Sequence, residues 1–69
     1  MKLEVGKAYI NRYGEIVDII KKEHTEYCPM VGKNRSTGTI HFFQLDGVWS
    51  YMGDMEDLIK EHIENERTT

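Results

Sequence analysis

The chain has one cysteine, one proline and one tryptophan in 69 residues, and its apolar residues never run together for long. Each scarcity excludes something. A lone Cys28 forbids an internal disulfide, so a reducing cytoplasm is the expected compartment. No stretch approaches the ~20 consecutive apolar residues of a membrane-spanning helix, and the opening residues do not read as a signal peptide, so no membrane role is expected. Cations are few and scattered. Residues 1–35 carry seven Lys/Arg against five Asp/Glu, and residues 36–69 carry two against seven, for a net charge of -3. Phosphate backbones require clustered Lys/Arg, so nucleic acid is not expected as the main ligand. The acidic half is either a solvated face or a surface for a basic partner.

What is present is enough for one small folded domain spanning 1–69. Charged residues make up 30% and apolar residues 39%, a globular rather than a disordered balance. A chain this short buries only about 60% of its unfolded surface. Its stability is therefore modest, and partner binding or homo-oligomerisation is an available supplement. There is no internal repeat and no low-complexity tract.

Taken in order, Lys7 to Asn11 reads as a first strand, and Asn11-Arg12-Tyr13-Gly14 as a turn whose glycine supplies a positive φ. Glu15 to Lys22 is a second strand rich in β-branched residues, with Val17 and Ile19 on one face and Ile16, Asp18 and Ile20 on the other. Pro29 lacks an amide donor, so any strand near it lies at an edge or begins there. Residues 33–38 read as a polar loop. Residues 39–52 form the strongest local signal, two β-prone runs around Asp46-Gly47. A two-residue turn there pairs Leu45 with Val48, Gln44 with Trp49, Phe43 with Ser50 and Phe42 with Tyr51. Asp54 is placed to cap a helix over about 54–66, with Met55, Leu58, Ile59, His62 and Ile63 on one face. The fold class expected is α+β: a small curled antiparallel sheet of four or five strands over about 5–52, with one C-terminal helix docked on it.

Reactive chemistry is thin. His24 and Cys28 have a usable ligand spacing, but no second pair accompanies them, so no metal is expected. Cys28 lacks the base, orienting group and oxyanion hole of a nucleophilic site. The stretch Gly32-Lys33-Asn34-Arg35-Ser36-Thr37-Gly38 lacks the Gly-Lys-Ser/Thr ending of a phosphate loop. The acidic pairs Glu56/Asp57 and Glu61/Glu64 read as exposed helix positions. No catalytic residue and no cofactor is therefore assigned. The aromatic set is the informative feature. Tyr9, Tyr13, Tyr27, Trp49 and Tyr51 either fill the core or line a recognition face. The candidate partner-binding residues are Tyr9, Tyr13, Lys33, Arg35, Trp49 and Tyr51.

The order Val5-Gly6-Lys7-x-Tyr9, Arg12-x-Gly14-x-Ile16, Pro29-Met30-Val31-Gly32, Asp46-Gly47-x-Trp49 and Asp57-Leu58-Ile59 resembles a family of short uncharacterised phage and prophage proteins. That family runs from a Gly-Lys-x-Tyr start through a Tyr-Pro-Phe/Met-x-Gly middle and a Trp-x-x-Asn/Asp-Gly-x-Tyr hairpin to an Asp-Leu-Ile/Val ending. This chain departs at Cys28, Phe43 and Trp49, where the pattern prefers Tyr, Trp and Tyr. The resemblance implies an SH3-like sheet with a terminal helix, made in the cytoplasm of a bacterial host cell, and no catalytic residues. The function expected is a non-enzymatic accessory protein that binds a host or phage protein. The alternative is a nucleic-acid-binding small β-barrel using Lys33, Arg35 and exposed aromatics.

Overall fold

The computed structural model of the chain describes residues 1–23, 26–49, 53 and 55–63. Five strands, β1 (Ala8–Asn11), β2 (Ile16–Lys22), β3 (Met30–Asn34), β4 (Ile40–Phe43) and β5 (Leu58–His62), form one antiparallel sheet in the order β4-β3-β2-β1-β5. Three successive hairpins build the meander, and β5 returns to the free edge of β1. The sheet curls into a half-barrel, a form compatible with SH3-like and other small β-barrels. The curl has a local cause. Bulges interrupt the ladders at Ile19/Lys21 on β2 and at Ile10/Asn11 where β1 meets β5, and a bulge bends a strand and increases its twist.

Inside the curl lie Leu3, Tyr9, Val17, Ile19, Met30, Phe43 and Leu58, with Leu45 and Trp49 packed against them. The strands alternate as period two requires: Val17 and Ile19 point in, and so do Met30 and Gly32. Leu3 reaches the core because its N–H donates to Leu45 O at 2.9 Å, which lays the N-terminal segment across the β4 hairpin. Tyr9 is buried, and its hydroxyl accepts a hydrogen bond from the Glu4 N–H at 2.9 Å. Pro29 immediately precedes β3, where its missing donor costs nothing, and its carbonyl accepts from Glu23 N–H at 2.6 Å.

Three expectations are corrected. The first is the C-terminal helix: among the described residues there is no helix, and the segment assigned to it carries β5 instead. Its Asp54 cap and residues 64–66 lie outside the described residues. The second is the hairpin register. Phe43 bridges Trp49, not Ser50, and Gln44 N–H donates to Val48 O at 2.7 Å. Gly47 takes φ +98° and its N–H donates to Gln44 O at 2.9 Å, so the loop is one residue longer than a two-residue turn. A one-residue slip exchanges the faces: Trp49 joins Phe43 on the inner side, and Phe42 and Ile40 face out. The third is the polar loop, whose Lys33 and Asn34 belong to β3.

Asn34 and Asn11 are the buried polar side chains among the described residues. Each opens a turn that closes on a glycine of positive φ. Asn11 Oδ1 accepts the N–H groups of Tyr13 and Glu15, and Asn34 Oδ1 accepts those of Ser36 and Thr37. The side-chain amide thus mimics turn backbone, a role for which Asn is suited. Gly14 donates to Asn11 O at 3.0 Å and Gly38 to Asn34 O at 2.8 Å. The two amide nitrogens then meet on one carboxylate: Glu15 Oε1 accepts from Asn34 Nδ2 at 2.9 Å and from Asn11 Nδ2 at 3.2 Å. One end of the half-barrel is therefore closed by a satisfied polar network rather than by apolar packing.

Candidate functional site

The outer face of the sheet is set by the registers. One row across it contains Ile40, Lys33, Asp18, Ala8 and His62. The next contains Phe42, Val31 and Lys21, and the β2 bulge places Ile20 and Lys21 together opposite Val31. Three large apolar side chains stand on this face about half exposed: Ile20 at 47%, Ile40 at 44% and Phe42 at 46%. Val31, between Phe42 and the bulge, is only 2% exposed. The result is a contiguous apolar area on β4, β3 and β2, bordered by Lys21 and Lys33. Isolated exposed apolar residues are ordinary; a patch with a polar border is the pattern of an interaction surface.

Beside it, Arg35 grips Asp18 with both prongs, Nε to Oδ2 and Nη2 to Oδ1, each at 2.7 Å. That fork holds the Asp18 carboxyl below its ordinary pKa, against a smaller opposing effect of burial. Further along the face, small Ala8 leaves an open cleft of about 330 Å³ whose lining includes Lys7, Asp18, Arg35 and Glu61. Its charges are matched in pairs: Lys7 Nζ is 3.4 Å from Glu4 and 3.7 Å from Glu61. Matched charge gives this cleft no surplus with which to hold phosphate.

Comparison with protein-family models, curated proteins and solved structures finds no match to this chain. Its function is argued from its own geometry.

The structure scatters the six candidate binding residues. Lys33 and Arg35 share the outer face, and Tyr13 is exposed at the β1–β2 turn. Trp49 lies half-buried on the inner side, its ring edge-on to His41 with centroids 5.8 Å apart and its backbone N–H donating to Asp57 Oδ1 at 2.8 Å. Tyr9 belongs to the core, so its ring is not part of a surface, and Tyr51 lies outside the described residues. Ile20, Ile40 and Phe42 were not among the candidates. The alternation of Ile40 and Phe42 against His41 and Phe43 was the signal, hidden by the wrong hairpin register.

The polar end of the half-barrel is the other place where chemistry gathers. Glu56 Oε1 accepts from Asn11 Nδ2 at 3.0 Å and lies 3.8 Å from His41 Nε2. The groups there hold turns together: Asp57 reaches Trp49 N–H and lies 3.7 Å from Arg12, whose N–H donates to Met55 O at 3.1 Å. No group of three or more His, Cys, Asp or Glu among the described residues is placed to hold a metal ion. Cys28 is buried, and burial raises its thiol pKa, which opposes the thiolate a nucleophile needs.

Glu15 is held below its ordinary pKa, first by the hydrogen bond from Asn34, then by that from Asn11. A depressed carboxylate contributes stability above its unfolded pKa of about 4.3 and loses it as pH falls through the folded value. Urea midpoints are therefore expected to hold from pH 7 to about 5 and to fall below about 4. Glu15→Gln keeps the acceptor oxygen and removes the titration, so its acid decline should be shallower than that of the parent. Parallel declines for the two proteins show that Glu15 is not coupled to folding.

Proposed function

We propose that this chain is a non-enzymatic protein-binding module, a phage or prophage accessory protein acting on a host or phage protein, and that it binds through the outer face of β4, β3 and the β2 bulge. The observation that carries this is the apolar area of Ile20, Ile40 and Phe42 around Val31. Leaving three large side chains half in water sacrifices burial in a domain with little core to spare, roughly 25 cal/mol for each Å² left exposed. Covering them on association recovers that free energy. The lysine border would set orientation and on-rate more than affinity.

A nucleic-acid reading draws on Lys33 and Arg35, but Arg35 is already committed to Asp18, and the chain carries net -3. Duplex binding at ~0.15 M salt, where exposed charges are screened beyond ~8 Å, is expected to be weak or absent. Submicromolar affinity for a random duplex would reverse the choice.

The experiment is a paired capture from bacterial lysate with the tagged parent and with Phe42→Ser. A protein retained by the parent and lost with Phe42→Ser supports the reading, provided the two melt within a few degrees of each other. Equal retention by both moves the interface off this face. Retention by neither, from phage-infected as well as uninfected cells, counts against a protein-binding role.

A further inference from the structure

Beyond the ends of β3 and β4, residues 26–29 and residues 44–46 face each other across an open groove of about 320 Å³. It is lined by Glu26, Tyr27, Pro29, Gln44, Leu45 and Asp46. The volume is at the lower end of the range for ligand sites, about 300–1,000 Å³. Its chemistry is uneven in an informative way. Pro29 is buried, and Leu45 packs against the core, so both belong to fixed structure. Tyr27 is 63% exposed, the most open large apolar residue among the described residues. The two charged residues on the lining are both acids, Glu26 and Asp46, and among the described residues neither forms an ion pair. This is unlike the Ala8 cleft, where each carboxylate has its own cation. Asp46 is also fixed, because its Oδ1 accepts the Val48 N–H at 3.0 Å. The site thus offers an aromatic wall, an apolar floor and two carboxylates.

We propose that this groove receives an arginine side chain from a basic segment of a partner protein. A guanidinium is planar and weakly hydrated, so it can lie against the Tyr27 ring while its N–H groups reach a carboxylate. Its three-carbon stem suits the Pro29 and Leu45 floor, as long cationic side chains cover apolar surface while their heads stay wet. The chain's net negative charge favours the approach of such a segment. The inference rests on the protein-binding reading but concerns a different surface from Ile20, Ile40 and Phe42.

The test is a nuclear magnetic resonance titration of the full ¹⁵N-labelled chain with acetyl-Gly-Arg-Gly-amide. The matching peptide with citrulline, the same shape without the charge, is the control. Saturable shifts centred on the amides of Tyr27, Leu45 and Asp46 are expected with arginine and not with citrulline. Asp46→Asn keeps both the Val48 hydrogen bond and the turn chemistry, so the fold survives while the affinity falls several-fold. Tyr27→Ala, at an exposed position, should abolish the shifts. Equal shifts with citrulline, shifts centred elsewhere, or no saturation overturn the proposal. The titration needs no natural partner. Its failure removes the groove and leaves the Phe42 capture to decide the wider reading, and failure of the capture leaves the groove to the peptide result.

Discussion

Gly32→Val is expected to leave this chain unfolded at 25 °C. Gly32 sits in the middle of β3, between Ile19 on β2 and His41 on β4. A Cβ built there lies 2.7 Å from Val17 Cγ1, 2.9 Å from Phe43 Cε2 and 3.3 Å from Ile19 Cδ1. These neighbours are among the most deeply buried side chains of the core and are fixed by the strands on either side of β3. Glycine in a strand interior marks such a close approach. Overpacking a filled core costs about 1–3 kcal/mol, occasionally more, so Gly32→Ala already falls in that range and valine exceeds it. A core of this size supplies only about 3–5 kcal/mol in all. Gly38→Ala is the comparison. Nothing lies within 4 Å of its added Cβ, and its cost comes from φ +75° alone, about 1–2 kcal/mol. Urea denaturation should rank the variants Gly32→Val worst, then Gly32→Ala, with Gly38→Ala the mildest or level with Gly32→Ala. A Gly32→Val protein that melts within a few degrees of the parent would mean that β3 is not sandwiched as described.

Much of the sheet was legible because hydrophobic alternation and turn chemistry agree there. Val17 and Ile19 on one shared face, the Asn11 to Gly14 turn and a strand beginning next to Pro29 all follow from local rules, and all are seen. The hairpin and helix failures share a physical cause: each involves one extra residue. Asp-Gly suggested a two-residue turn, yet Gly47 serves as the positive-φ residue of a longer loop, in the same hydrogen-bond pattern as Asn11 to Glu15. The bulge that sets Asn11 against Leu58 and Ile10 against Lys60 leaves Ile59 unpaired. It breaks the period of two in β5 and leaves apolar residues at a helical spacing. The buried asparagines were legible in principle. Asn-Arg followed by glycine occurs at 11–14 and again, one residue longer, at 34–38. The Ile40–Phe42 face was hidden for the same reason as the register, since the expected pairing put Trp49 on the face of Ile40 and Phe42, whereas Trp49 packs against the core beside Phe43.

The strand reading of β5 makes a prediction that the helix reading cannot share. On a helix, Leu58 and Ile59 would sit together at the centre of the docked face and truncations of the two would cost alike. On β5 they separate: Leu58 is buried in the core and its N–H donates to Gly47 O at 2.9 Å, whereas Ile59 is about half exposed at the bulge. Leu58→Ala removes a side chain packed inside the curl, and such truncations cost about 2–5 kcal/mol. Against a core worth about 3–5 kcal/mol, this unfolds or nearly unfolds the protein. The residual cavity also cannot collapse easily, because Leu58 is held where β5 meets both β1 and the Gly47 loop. Ile59→Ala gives up mainly β propensity at an exposed position, no more than about 1 kcal/mol. Thermal melts of the two variants decide between the readings. A large loss at 58 with a small one at 59 fits the strand. Equal large losses at both positions restore the docked helix. Equal small losses detach this segment from the core altogether, and the inner face of the half-barrel beside Tyr9 and Asn11 would then need another cover.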